Sequence, residues 1–274
     1  MQPLIFVDAV RYRLGISLKC LESIPSDTVC QCGKVHDYTT PSDIMSCCRV
    51  GGSTWIQRHN RPALKVAEIA RKAGHVVTVE KRVGLYDKSR VDVSILNYVE
   101  ERNIENHPIE TKTAHLDFAM TNPTGASNLK LRLIRGAAAK AYATKKMQSP
   151  GAQNVMAPDT FIPCILETFG LMHWSLRKLL SNIANSHIYL SVMDAGYSAQ
   201  QSEFLKGAIV NSYYELISVA GMKGVICNIH SAVRTLLRKC DVATGKGPPL
   251  TSARAWGIIT TAEKTATSNT AEFF

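Results

Sequence analysis

Apolar positions recur at helical spacing between about Thr54 and Lys72, where Ala63, Val66, Ala67 and Ala70 share one face. Gly74 fits the C-terminal cap of that helix. Three strand-like runs come next. Val76-Val77-Thr78-Val79 leads into Glu80, Arg90-Val91-Asp92 leads into Val93-Ser94-Ile95-Leu96, and His115 to Met120 encloses Asp117. The polar stretch 97–114 reads as an exposed loop or an extended hairpin, and Asn122-Pro123-Thr124-Gly125 carries turn chemistry. An Ala-rich, basic helix is predicted over 129–148, ended by Ser149-Pro150-Gly151. Phe161 to Leu166 reads as a fourth strand, and its Pro163 favours an edge or a bulge. Helices are expected over 173–186, 199–220 and 226–238. The order helix, three strands, helix, strand, helix predicts an α/β core: a small mixed sheet flanked by helices. Around it, 1–52 reads as a helical lead-in with a Cys-rich segment, 53–242 as the folded domain with its C-terminal helices, and 243–274 as a poorly ordered tail.

Charge narrows the partner. The 274 residues carry a net charge of +10, and no Asp or Glu occurs between Phe118 and Pro158. Lys130, Arg132, Arg135, Lys140, Lys145 and Lys146 lie in that stretch, and Arg58, Arg61 and Arg90 belong to an earlier basic stretch. These are candidate phosphate contacts, because neutralised phosphates release counterions and dominate affinity for nucleic acid. Tyr213, Tyr214 and Trp174 sit on helical patterns and are expected in the core, which argues against a base-stacking platform. No apolar run approaches the roughly 20 residues of a membrane span, and the N-terminus lacks a signal-peptide pattern, so an intracellular, nuclear setting is expected. Gly245-Lys246-Gly247 lacks the upstream glycine of a P-loop, and no Gly-x-Gly-x-x-Gly follows a strand.

Glu80, Asp92 and Asp117 sit on three successive strands. Neighbouring strands lie roughly 4.8 Å apart, so acids at matching heights on one face can share a divalent ion. Oxygen ligands suit Mg²⁺ or Mn²⁺. Such an ion activates water against a phosphodiester, and a nearby cation steadies the charge that develops. Lys140 is the first candidate for that cation, with Lys145 and Lys146 further along the same helix. Read without chemistry, the three residues are exposed acids at strand ends.

An ordered series of short motifs adds to this reading. Arg13-Leu14-Gly15 precedes Cys30-Gln31-Cys32-Gly33; Cys47, Gly51-Gly52 and Arg58-His59-Asn60 come after it. Val79-Glu80, Arg90-Val91-Asp92-Val93, Leu116-Asp117-Phe118-Ala119 with Met120 to Pro123, Lys140-Ala141-Tyr142, Phe161-Ile162-Pro163 and Glu167 to Gly170 complete it. Over residues 10–185 the chain resembles the restriction-like endonuclease domain of the PD-(D/E)XK superfamily, in the form carried by non-LTR retrotransposons. The resemblance implies a metal-dependent DNA endonuclease acting on double-stranded DNA, with reverse-transcriptase machinery as an associated partner. It places Asp92 and Asp117 as the metal-binding acids, Glu80 as an accessory acid and Lys140 as a catalytic lysine displaced onto the following helix. Two positions depart from the pattern: Val91 stands where Pro is usual, and Ala119 stands where the lysine ordinarily sits. A catalytically inactive nucleic-acid-binding module with the same fold is the alternative, and a structural role for the helical C-terminal half is a third.

The resemblance also bears on the cysteines. Cys30, Cys32 and Cys47 resemble a zinc knuckle, which needs four ligands. Where the pattern has His, this chain has Asp43; His36, Cys48 and His59 are substitutes. Alternatively the thiols pack without a structural Zn²⁺. A Cys47/His59 nucleophile pair lacks any orienting partner in the sequence. Cys20, Cys164, Cys227 and Cys240 read as buried thiols.

Overall fold

The computed structural model describes residues 3–22, 24, 54–82, 90–100, 111–125, 128, 130, 131, 134–192 and 198–244. Helices α1 (Pro3–Arg13) and α2 (Thr54–Lys72) precede strands β1 (Val77–Arg82), β2 (Arg90–Tyr98) and β3 (Lys112–Thr121). Then come α3 (Ala137–Met147), the single turn α4 (Pro150–Gln153), β4 (Thr160–Glu167), α5 (Trp174–Val192) and α6 (Ala199–Thr244). The sheet order is β1-β2-β3-β4. β1, β2 and β3 are antiparallel neighbours, and β4 runs parallel to β3 after a crossover through α3. This is the small mixed sheet flanked by helices that the hydrophobic pattern predicts. Pro163 lies on β4, an edge strand, where its missing N–H costs no ladder bond.

Alternation along the strands gives the sheet two faces. Val93, Ile95, Ala114, Leu116, Phe118, Cys164 and Leu166 point into one core with α2, α5 and part of α6. On the opposite face Ala119 and Ile165 pack against Ala139 and Ala143 of α3. A second cluster joins Ile5, Ala9 and Tyr12 of α1 and Leu18 to Met222, Val225, Ile226 and Ile229 of α6.

Three expectations need correction. The helix predicted from residue 129 begins only at Ala137, because Gly136 has φ 77°, a left-handed conformation that cannot continue a helix. The two C-terminal helices are one helix of 46 residues. Gly221 and Gly224 in it are packing positions, not breaks: a Cβ on Gly221 would run into Leu166 Cδ2, and one on Gly224 would lie 3.0 Å from Arg58 Cα and 3.1 Å from its carbonyl oxygen. Pro62 cannot donate to that same carbonyl, and α6 closes over it. Trp174 is 66% exposed at the start of α5, whereas Tyr213 is buried and Tyr214 packs against the core as expected. Within α6, Gln200–Leu237 is apolar and long enough to cross a membrane by composition, but 61% of its apolar window is buried in this fold.

Gly207 and Gly224 make a controlled comparison on one helix. Among the described residues a Cβ on Gly207 meets nothing within 4 Å, so Gly207→Ala should stabilise by about 0.5–1 kcal/mol through helix propensity. Gly224→Leu gains the same propensity but must push two helices apart, and a net loss of about 2–3 kcal/mol is expected. Thermal melts of the two variants check this; equal midpoints would contradict the packing assigned to Gly224.

Candidate functional site

The site forms where β2 parts from β3. Their last ladder pair on this side is Val93↔Leu116. One step further, Asp92 and Asp117 stand at the same height on neighbouring strands. Beyond that point the Phe118 N–H donates to Asp92 Oδ2 at 2.6 Å instead of to a β2 carbonyl. The carboxylate thus replaces a ladder bond and is fixed in place by it.

His59, from the N-terminal half of α2, donates through Nε2 to the same oxygen at 3.0 Å. Its Nδ1 faces Asn60 Oδ1 at 2.8 Å. With an oxygen acceptor at each ring nitrogen, the imidazolium is the form that satisfies both. The Asp92 hydrogen bond accordingly raises the His59 pKa, outweighing the opposing effect of burial. A histidine whose folded pKa is raised adds stability that is full below its ordinary value of 6.5 and is lost as pH rises through the folded value. The stability deficit of His59→Ala, about 1 kcal/mol, should therefore be largest below pH 6.5 and shrink as pH rises through the raised folded value. Denaturant titrations across that range check it; a deficit independent of pH would contradict the pairing.

Asp117 faces α3. Lys146 Nζ lies 2.8 Å from both of its carboxylate oxygens. Even so, the Asp117 pKa is raised: burial is the largest cause, and the neighbouring Asp92 adds to it, against the opposing pull of Lys146. The Asp92 carboxylate lies close enough to disfavour ionisation of Asp117. A shared divalent cation relieves that condition, so the pair fits a hard, oxygen-seeking ion. Because Asp117 must ionise to bind it, affinity for such an ion should rise as pH passes through its raised pKa.

The other expected residues fall at varying distances from this pair. Glu80 lies between the ladder pairs Val79↔Val93 and Lys81↔Val91, at the height of Asp92, and is exposed with φ 55°. It does not join Asp92 and Asp117 as a third close ligand: among the described residues, the only set of three ligand-type side chains within 4.8 Å of one another is Asp8, Cys20 and His230. Lys140 is exposed, and no hydrogen bond or ion pair in the described residues links it to either acid; it lines a cavity of about 360 Å³ with Thr160, His173 and Trp174. Arg58 is partly buried near Tyr12 and Tyr142, and burial lowers its pKa to about 10. The buried Nε of Arg61 has no hydrogen-bond partner among the described residues. Lys130, Arg135 and Lys145 are exposed. Arg132, the Arg90 side chain and the knuckle residues Cys30, Cys32, Asp43 and Cys47, with His36 and Cys48, lie outside the described residues.

No known protein family's sequence profile matches the chain, and no curated protein is significantly similar to it.

Two residues of this site are not the ones the sequence points to first. The signal for Lys146 is present: Ala139, Ala143 and Lys146 stand at i, i+4 and i+7, so Lys146 extends the alanine stripe that α3 presses on the sheet. Lys140 is about 100° around the helix from Ala139 and turns away. His59 carries no such signal, since its partner is 33 residues away on another element. Ser94, His115 and Asp159 also form a chain on this face, with Ser94 Oγ 3.0 Å from His115 Nδ1 and His115 Nε2 3.5 Å from Asp159. Ser94 is fully buried, so this chain braces β2 against β3 and offers no accessible nucleophile.

Proposed function

We propose that the protein is a metal-dependent endonuclease that hydrolyses phosphodiester bonds in double-stranded DNA. The observation that carries this is the Asp92–Asp117 pair: two carboxylates at one height on adjacent strands, one held by His59 and a backbone N–H, the other by Lys146. The element order α2-β1-β2-β3-α3-β4 and the mixed sheet support the PD-(D/E)XK-like reading of the motifs. Asp92 and Asp117 would hold Mg²⁺ or Mn²⁺, with Glu80 at the rim. Bound there, the ion would lower the pKa of a water and stabilise the leaving oxygen.

The remaining roles belong to side chains. His59 is a positioning residue that, with the Phe118 N–H, holds Asp92 Oδ2 and leaves Oδ1 to take the ion. Lys146 balances Asp117 and brings an ammonium to the place where phosphate charge develops. It thereby takes the part that the motif resemblance gives to Lys140. Lys145, Arg135 and Lys130 supply exposed positive charge for the DNA backbone.

The test is conversion of supercoiled plasmid to the nicked form by purified protein in Mg²⁺ or Mn²⁺, with EDTA as control. Nicking that requires the ion is the expected result. DNA binding without cleavage in either ion would overturn the enzyme reading in favour of a non-catalytic binding module.

A further inference from the structure

A second cluster of ligand-type side chains lies away from the carboxylate pair, where α1 meets α6. Asp8 of α1, Cys20 of the following segment and His230 of α6 are 2%, 1% and 7% exposed. Their ligand atoms all lie within 4.8 Å of one another. His230 Nε2 is 2.7 Å from Asp8 Oδ2, and the Lys19 N–H donates to Asp8 Oδ1 at 3.0 Å. The Cys20 thiol also hydrogen-bonds Asp8. We propose that Asp8, Cys20 and His230 form a zinc site that clamps the N-terminal segment onto the C-terminal half of α6.

The donor set selects the ion. A thiol sulfur, an imidazole nitrogen and a carboxylate oxygen suit Zn²⁺ and disfavour Mg²⁺ or Ca²⁺. Ligand atoms around tetrahedral zinc stand about 3.3–3.8 Å apart, given bonds of about 2.0–2.3 Å. The three atoms reach that spacing by sub-ångström to ångström shifts. Asp8 is already oriented for coordination. Lys19 holds Oδ1, so Oδ2, the oxygen facing His230, is the one presented to the ion. On binding, the Cys20 S–H bond breaks, its proton passes to solvent and the thiolate takes a coordination bond. The His230 N–H moves to the other ring nitrogen, so Nε2 offers its lone pair. Three protein ligands leave the fourth position to a solvent molecule.

The consequence is structural. Asp8 and His230 are 222 positions apart in sequence, and the hydrophobic contacts around them, Ile5, Ala9 and Leu18 against Val225, Ile226 and Ile229, form a small cluster of their own. An ion there ties the two ends of the folded chain together independently of the carboxylate site.

Differential alkylation of the native protein in mild denaturant tests this, with Zn²⁺ or EDTA present and each cysteine read by peptide mass. Cys164 is buried but has no such ligand set, so it reports global stabilisation, including any from zinc held elsewhere. At free Zn²⁺ about ten times Kd, Cys20 should react about tenfold more slowly than in EDTA, and His230→Gln should remove that protection. Equal Cys20 rates with Zn²⁺ and with EDTA in the native protein, or protection of Cys20 that survives His230→Gln, would overturn the proposal.

Discussion

Asp117→Asn is expected to lower Mg²⁺-dependent nicking by at least about 10³-fold while leaving DNA affinity within about threefold, since phosphate contacts come from the basic residues. The substitution keeps the side chain's volume and removes its charge. That isolates the electrostatic role, because burial and Asp92 already oppose ionisation at this position. The cost of holding a charge there disappears, but so does the acceptor pair that Lys146 uses. Stability at neutral pH should change little as a result. At acid pH the sign follows from linkage: a carboxyl with a raised folded pKa favours folding most when protonated, and that advantage declines as pH rises from its ordinary value through the folded one. Asp92→Asn should match the loss of nicking. Cleavage rates at saturating DNA, with binding measured in parallel, decide the matter; retention of nicking by either variant would remove that residue from the site.

Lys146→Ala should cost about 10²-fold in the same assay, and Lys140→Ala should cost less than about threefold. The contrast is large because the two side chains differ in direction and not only in distance. Lys146 continues the stripe of Ala139 and Ala143 onto the sheet and meets both Asp117 oxygens. Lys140 stands at the lip of a different cavity, beside His173, whose pKa is lowered by burial and then by Lys140. Lys146→Arg should restore part of the activity, since it keeps the charge and changes its shape. A loss confined to Lys140→Ala would return the catalytic lysine to the position the motif resemblance gives it.

These two predictions also show where the sequence is sufficient. Period-two alternation places Asp92 and Asp117 on one face of adjacent strands, and the turn at Asn122 to Gly125 separates β3 from the segment leading to α3. Pro163 marks an edge strand correctly because proline removes a ladder donor wherever it sits. The lysine differs because composition does not say which side of the helix the sheet covers: burial of Ala139 and Ala143 turns Lys146, not Lys140, toward Asp117. Once α3 begins at Ala137, the buried alanines fix its rotation and identify Lys146. Gly221 and Gly224 read as a break for a related reason. Their use, close approach to Leu166 and to the Arg58 backbone, exists only in the packed fold. The Asp8–Cys20–His230 cluster is invisible in the sequence for the same cause, since no local spacing joins α1 to the far half of α6.

The central claim is that Asp92 and Asp117 together hold a divalent ion. Fe²⁺ substituted for Mg²⁺, with ascorbate and peroxide, cuts the polypeptide beside the bound ion, so the cleavage sites map its position. The account predicts cuts flanking residues 92 and 117 that vanish in Asp117→Asn. Cuts absent from both positions, or unchanged by that substitution, would contradict it.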